Sequence, residues 1–122
     1  MRRGVVVAWM LLALALAPPC AGAASGDVPK PGRVTLVDLG SGACVPCKMM
    51  QPVLEAVTRR YDGRAAVVFI DIRKEPDAAK AYGIRLIPTQ VFFGRDGKEA
   101  WRHEGYLDEP GIAAVLDRLL AE

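Results

Sequence analysis

The chain has 122 residues, 52% hydrophobic and 25% charged, a length that suits one domain. Its formal net charge is only +2, so neither a nucleic acid nor an anionic surface is implied as a partner. A chain of this size buries a core without staples, so its cysteines are not needed as a scaffold.

Arg2 and Arg3 precede an uncharged stretch from Gly4 to Ser25, whose strongly apolar part, Val5 to Ala17, has 13 residues. Ala21-Gly22-Ala23 then offers small residues at cleavage positions. This is the pattern of a secretory signal peptide, and residues 1–23 are read as one. The apolar part falls short of the roughly 20 residues that a spanning helix needs. The whole uncharged stretch does not, so an uncleaved membrane anchor is the alternative. Pro18-Pro19 before Cys20 argues against lipid attachment at that cysteine. Cleavage after Ala23 leaves 99 residues and two of the three cysteines, and it takes 16 basic residues to 14, against 14 acidic ones. An unpaired third thiol would be awkward outside the cytoplasm, so this count agrees with cleavage. The expected location is periplasmic or otherwise extracytoplasmic.

Residues 24–32 read as an extended, poorly ordered lead-in to a domain at 33–122. Arg33 to Leu39 is nearly all apolar, as in a central strand buried on both faces. Gly40 to Ala43 reads as a flexible turn. Met49, Met50, Val53, Leu54 and Val57 recur at helical spacing over Lys48 to Tyr61, with Pro46 at an early helical position and Pro52 expected to kink the helix. Ala65 to Ile72 is a second strand, and Lys74 to Tyr82 a short helix ended by Gly83. Gln90 to Phe93 and Glu99 to Glu104 form a hairpin around Asp96-Gly97. Asp108 caps a last helix running to about Leu120. The order β-α-β-α-β-β-α predicts an α/β domain with a mixed sheet flanked by helices.

Chemistry concentrates in Cys44-Val45-Pro46-Cys47, between the first strand and the first helix. A helix N-terminus presents unpaired N–H groups and partial positive charge, so a thiol there ionises more easily, and only the thiolate attacks a disulfide. The pattern is a candidate redox dithiol. A zinc site is the competing reading, but two cysteines and His103 fall short of four ligands. A purely structural bond closes so short a loop that it would restrain the unfolded chain little. No metal or other cofactor is expected. Lys48, Met49 and Met50 read as solvated or packing residues, Trp101 as cover for part of the sheet, and His103 as a surface residue without chemistry.

From about Val34 to Leu120 the chain resembles the thioredoxin-like superfamily. Asp38 stands six residues before Cys44, where that family keeps a buried acid, and Cys44 to Lys48 matches its active-site pattern. Pro52, the segment Tyr82 to Arg85 with Ile87-Pro88-Thr89, the Asp96-Gly97 turn and Gly105 also match in order and spacing. Ala43 stands where the family usually has Trp, Phe69 stands in place of a lysine that often faces the acid, and too few residues precede Arg33 for the family's full first strand and helix. The Val-Pro pair resembles that of membrane-associated, extracytoplasmic reductases that serve cytochrome c maturation.

The resemblance implies a thioredoxin-like fold, N-terminally trimmed, and assigns roles. Cys44 is the nucleophile, and Cys47 resolves the mixed disulfide, so that the two alternate between dithiol and disulfide. Asp38 takes the proton of Cys47, and without a lysine beside it should stay protonated to higher pH. Val45 and Pro46 tune the dithiol. Pro88 is expected in the cis form, with Ile87 pairing through its backbone with an extended substrate. The implied function is an exported thiol–disulfide oxidoreductase, mostly a reductase of exported proteins, supplied by a membrane electron donor and working as a monomer. The alternatives are a disulfide oxidase or isomerase, and a non-catalytic binding module.

Overall fold

The computed structural model describes residues 28–122. The segment 1–23, read as a signal peptide, and residues 24–27 of the lead-in lie outside the described residues. A four-stranded sheet is ordered β2-β1-β3-β4, with β1 at Val34–Gly40, β2 at Ala65–Asp71, β3 at Thr89–Phe93 and β4 at Glu99–Glu104. Helices α1 (Val45–Arg60), α2 (Pro76–Ala81) and α3 (Glu109–Ala121) cover it. The fold is thioredoxin-like, with the mixed sheet and flanking helices that the element order predicts.

β1 is buried along its whole length. Its apolar side chains supply both layers, so it takes an interior place, parallel to β2 and antiparallel to β3. Val34 and Leu36 point into one core with Phe92, Met50, Leu54 and Leu116. Val37 and Leu39 point into the other, with Ile70, Val91 and Phe93. Each fully buried side chain of this kind stabilises the fold by about 1.5–3 kcal/mol.

Helix α1 buries Met50, Leu54 and Val57 at helical spacing, and Tyr61 at its C-cap is fully buried too. The Tyr61 hydroxyl donates to Asp117 of α3 at 2.7 Å, so the ring enters the core with its polar end satisfied. The helix begins at Val45, earlier than the apolar spacing alone indicates, because Cys44 caps it. It runs on through Pro52 to Arg60. Helix α2 begins at Pro76 and not at Lys74, since the N–H groups of Lys74 and Glu75 bond back to the Asp71 carbonyl as the chain turns out of β2. Asp108 caps α3 by accepting from the Gly111 N–H at 2.9 Å.

The start of the described chain departs from an extended lead-in. Residues 30–33 make a turn, closed by Arg33 N–H on the Lys30 carbonyl, and Lys30 N–H donates to the Thr35 hydroxyl at 3.1 Å. Val28 packs against the second core, and Pro29 lies near the β3–β4 turn, its Cγ 3.8 Å from where a Cβ on Gly97 would stand. An apolar residue beside an open sheet face is what draws this stretch in. Among the described residues no helix is long and apolar enough to cross a membrane.

Candidate active site

Cys44 and Cys47 are joined as a disulfide at the N-terminus of α1, with Cα atoms 5.1 Å apart. Cys44 is the N-cap, in extended conformation, and its sulfur accepts the Cys47 N–H at 3.3 Å. In the reduced protein that N–H and the positive end of a 16-residue helix both favour a Cys44 thiolate. The first turn carries no acidic side chain to oppose it. Pro46 in that turn removes one N–H from the set facing the sulfurs. Cys44 is half-buried, and Val45 and Pro46 beside it are exposed, whereas Cys47 is fully buried. One sulfur is therefore open to a substrate, and the other waits behind it.

The turn into the cysteines is built more firmly than a flexible glycine linker. Ser41 is buried, its Oγ accepts the Ala43 N–H at 3.2 Å, and its carbonyl accepts the Cys44 N–H. Gly40 belongs to β1, where a Cβ would lie 3.1 Å from the Phe69 ring and 3.3 Å from the Cys47 sulfur. Glycine lets the strand pass that close beneath Cys47 without displacing either neighbour. Neither role was read from the sequence; the signal available was a small residue between a buried strand and a reactive helix end.

Asp38 lies within β1, fully buried, two residues before Gly40 and so on the same face of the strand. Phe69 of β2 pairs directly with it on one side and Gln90 of β3 on the other. The position beside the acid therefore holds an aromatic ring and no cation. Burial pushes the Asp38 carboxyl up from its ordinary 3.8 to about 6, and the hydrogen bond from Gln90 Nε2, 2.8 Å from Oδ1, opposes that rise. Gln90 is itself fully buried, although the sequence pattern marks it only as the start of a strand.

Opposite the cysteines the Ile87–Pro88 peptide bond is cis, and the Ile87 carbonyl oxygen lies 3.9 Å from the Cys44 sulfur. With the disulfide formed no sulfur proton exists, so this is a contact and not a hydrogen bond. Three anchors hold the loop. Thr89 Oγ1 donates to the Leu86 carbonyl at 2.7 Å, and Gly105 N–H to the Pro88 carbonyl at 2.8 Å. Arg85 grips Glu104 of β4 with both arms, at 3.0 and 2.8 Å. Gly105 has a φ of +99°, which a side chain would strain. Val45, Met49, Leu86 and Tyr106, next to these elements in the chain, are exposed apolar groups.

Of the remaining residues singled out in the sequence, Met50 is buried and its sulfur accepts the Leu107 N–H, while Met49 is exposed. Trp101 covers Phe92 at a ring distance of 5.5 Å, and His103 stacks on Trp101 at 6.0 Å. Among the described residues no three His, Cys, Asp or Glu side chains gather as metal ligands.

A family model for thioredoxin matches residues 25–118. Thioredoxin of Staphylococcus epidermidis is 38% identical over 87 residues, which cover 71% of this chain and 83% of that protein. Thioredoxin of Staphylococcus aureus is 37% identical over the same shares. Among solved structures, chloroplastic thioredoxin z superposes with a TM-score of 0.71 at 32% identity, covering 79% of this chain and 86% of its own. The germline-specific thioredoxin Deadhead of Drosophila melanogaster gives 0.65 at 27% identity, covering 72% and 82%.

Proposed function

Because the chain belongs to the thioredoxin family and is a protein-disulfide oxidoreductase, we propose that it works outside the cytoplasm, reducing disulfides of exported proteins. The observation that carries the chemistry is the half-buried Cys44 sulfur capping α1, with Cys47 buried behind it. The Cys44 thiolate attacks one sulfur of a substrate disulfide, and the other substrate sulfur leaves as a thiolate. Cys47 then gives its proton to Asp38, and its thiolate attacks the Cys44 sulfur. The enzyme disulfide forms, the second substrate sulfur leaves, and two electrons have passed to the substrate.

The direction is supported by Val45-Pro46, which offers no charge or side-chain donor to hold the Cys44 thiolate and so does not favour the reduced enzyme. Export is supported by the charge and hydropathy pattern of residues 1–23 and by the even cysteine count that cleavage leaves. Clients bind as an extended segment along Ile87 and Pro88, against the exposed Val45, Met49 and Leu86. A membrane-held dithiol donor renews the reduced state, and exported proteins undergoing cytochrome c maturation are among the substrates.

Insulin reduction by the reduced protein, with Cys44→Ser as control, tests the activity. Turnover by the wild type and none by the variant is expected. A wild type without turnover would instead favour a binding module. A reduction potential near about −270 mV agrees with a reductase, whereas one near about −120 mV overturns that direction. N-terminal sequencing of the exported protein decides the cleavage after Ala23.

A further inference from the structure

Four side chains form a row across the sheet on the face that α1 covers. They are Phe69 of β2, Asp38 of β1, Gln90 of β3 and His103 of β4, each directly paired in register with the next. At the centre of this row Gln90 Nε2 donates to Asp38 Oδ1 at 2.8 Å, in full burial. The other two polar atoms of the same pair, Asp38 Oδ2 and Gln90 Oε1, are buried without any partner. Turning the amide over does not cure this, because it would set Oε1 against Oδ1. Two orphaned acceptors in one pair are costly, and buried polar groups are nearly always satisfied. A proton on Oδ2 makes that oxygen a donor, and Oε1 is an acceptor.

We propose that Gln90 is the positioning residue of the proton-transfer step, its amide pairing with Asp38 in both protonation states and fixing Oδ2 as the oxygen that takes up the proton. An amide suits this because it carries a donor and an acceptor and no net charge. Its N–H steadies the carboxylate, and its C=O steadies the acid. A lysine could do only the first. As Cys47 resolves the mixed disulfide, its proton passes to Oδ2. The Cys47 sulfur forms the bond to Cys44, the Cys44–substrate bond breaks, and the substrate thiolate takes a proton from water. Asp38, now neutral and held on Oε1, returns its proton to solvent before the next cycle.

Among the described residues no charged side chain competes for Asp38 at this row. From β2 comes Phe69, with Asp71 farther along the same face and its Oδ1 on the Arg73 N–H. From β4 comes His103, whose Nε2 sits 3.1 Å from the Tyr106 carbonyl. From α1 come Cys47 and Met50, both buried, while Lys48 is exposed. The rise of the Asp38 pKa has burial as its main cause and only Gln90 opposing it.

The inference rests on Asp38 as acceptor of the Cys47 proton, and NMR separates the two ideas. In the oxidised wild type the Gln90 side-chain amide signals should titrate with the same midpoint as Asp38 Cγ. They should lose that titration in Asp38→Asn. In Gln90→Met, which keeps side-chain length, the Asp38 midpoint should rise, since the charged form loses its donor. Release of an aromatic thiol from a Cys44 mixed disulfide should then slow about tenfold near neutral pH, the size of one hydrogen bond to a charged group, with the pH limb following the new midpoint. Gln90 amide signals indifferent to the Asp38 titration overturn the inference, even if the variant fails to fold. An unmoved Asp38 midpoint in a folded Gln90→Met protein overturns it as well. Asp38→Asn that releases thiol as fast as the wild type overturns the underlying role of Asp38 and this inference with it.

Discussion

Replacing Asp38 by Asn removes a buried titration while keeping the shape of the side chain. In the folded protein burial holds the Asp38 carboxyl at about 6, against an ordinary value of 3.8 in the open chain. The folded state thus keeps its proton to higher pH than the unfolded state does. Stability falls with pH wherever the folded state binds more protons. Below 3.8 both states are protonated and nothing is lost; above about 6 the loss is complete. At about 1.4 kcal/mol per pH unit, that interval amounts to about 3 kcal/mol. Asp38→Asn never ionises, so its stability relative to the wild type should climb by that amount from acid to neutral pH. Urea unfolding of both oxidised proteins between about pH 4 and 8 gives the difference, and the other titrating groups cancel. A difference that stays flat across this interval refutes a buried, proton-holding Asp38.

Phe69→Lys tests the register pair on the other side of the acid. Phe69 is 40% exposed, so a lysine there can keep its ammonium wet while its stem lies beside Asp38. The Asp38 midpoint should fall by about one pH unit, as an opposite charge favours the carboxylate, and NMR titration reads it directly. An unmoved midpoint shows that the site opposite Asp38 has no hold on it. Gly40→Ala sets a methyl 3.1 Å from the Phe69 ring and 3.3 Å from the Cys47 sulfur. It should cost about 1–3 kcal/mol in urea unfolding, with partial relief when Phe69 is also cut to Leu. A neutral Gly40→Ala would mean that the strand does not press on Cys47.

Much of this was legible in the sequence because it depends on neighbours in the chain. β1 announced itself by an apolar run, α3 by the Asp108 cap and its stripe, the hairpin by Asp96-Gly97. The cysteine pair needed only its place between a strand and a helix. The Asp38–Gln90 pair was not legible in the same way. A glutamine two residues after a proline reads as an ordinary first strand residue, and its burial is decided by the antiparallel register of β3 on β1, across 52 positions of sequence. Gly40 fails for a like reason, since what crowds a side chain there is the Phe69 ring from β2 and Cys47 from α1. The turn at residues 30–33 is not legible because Val28 has no partner nearby in sequence; its partners lie on the assembled sheet.

The nearness of Pro29 to the turn at Gly97 has a mechanical consequence. It places the arriving chain at the hairpin end of the sheet, while Cys44 stands beyond the other end of β1. Seven strand residues, about 23 Å, separate the two poles. Anything fastened ahead of Val28, whether a lipid surface, a bead or a fluorophore, would act as a stalk and leave the disulfide facing outward. Immobilising the protein from that side should therefore preserve access of large clients to Cys44, whereas attachment through the loop at Leu86 would shade it.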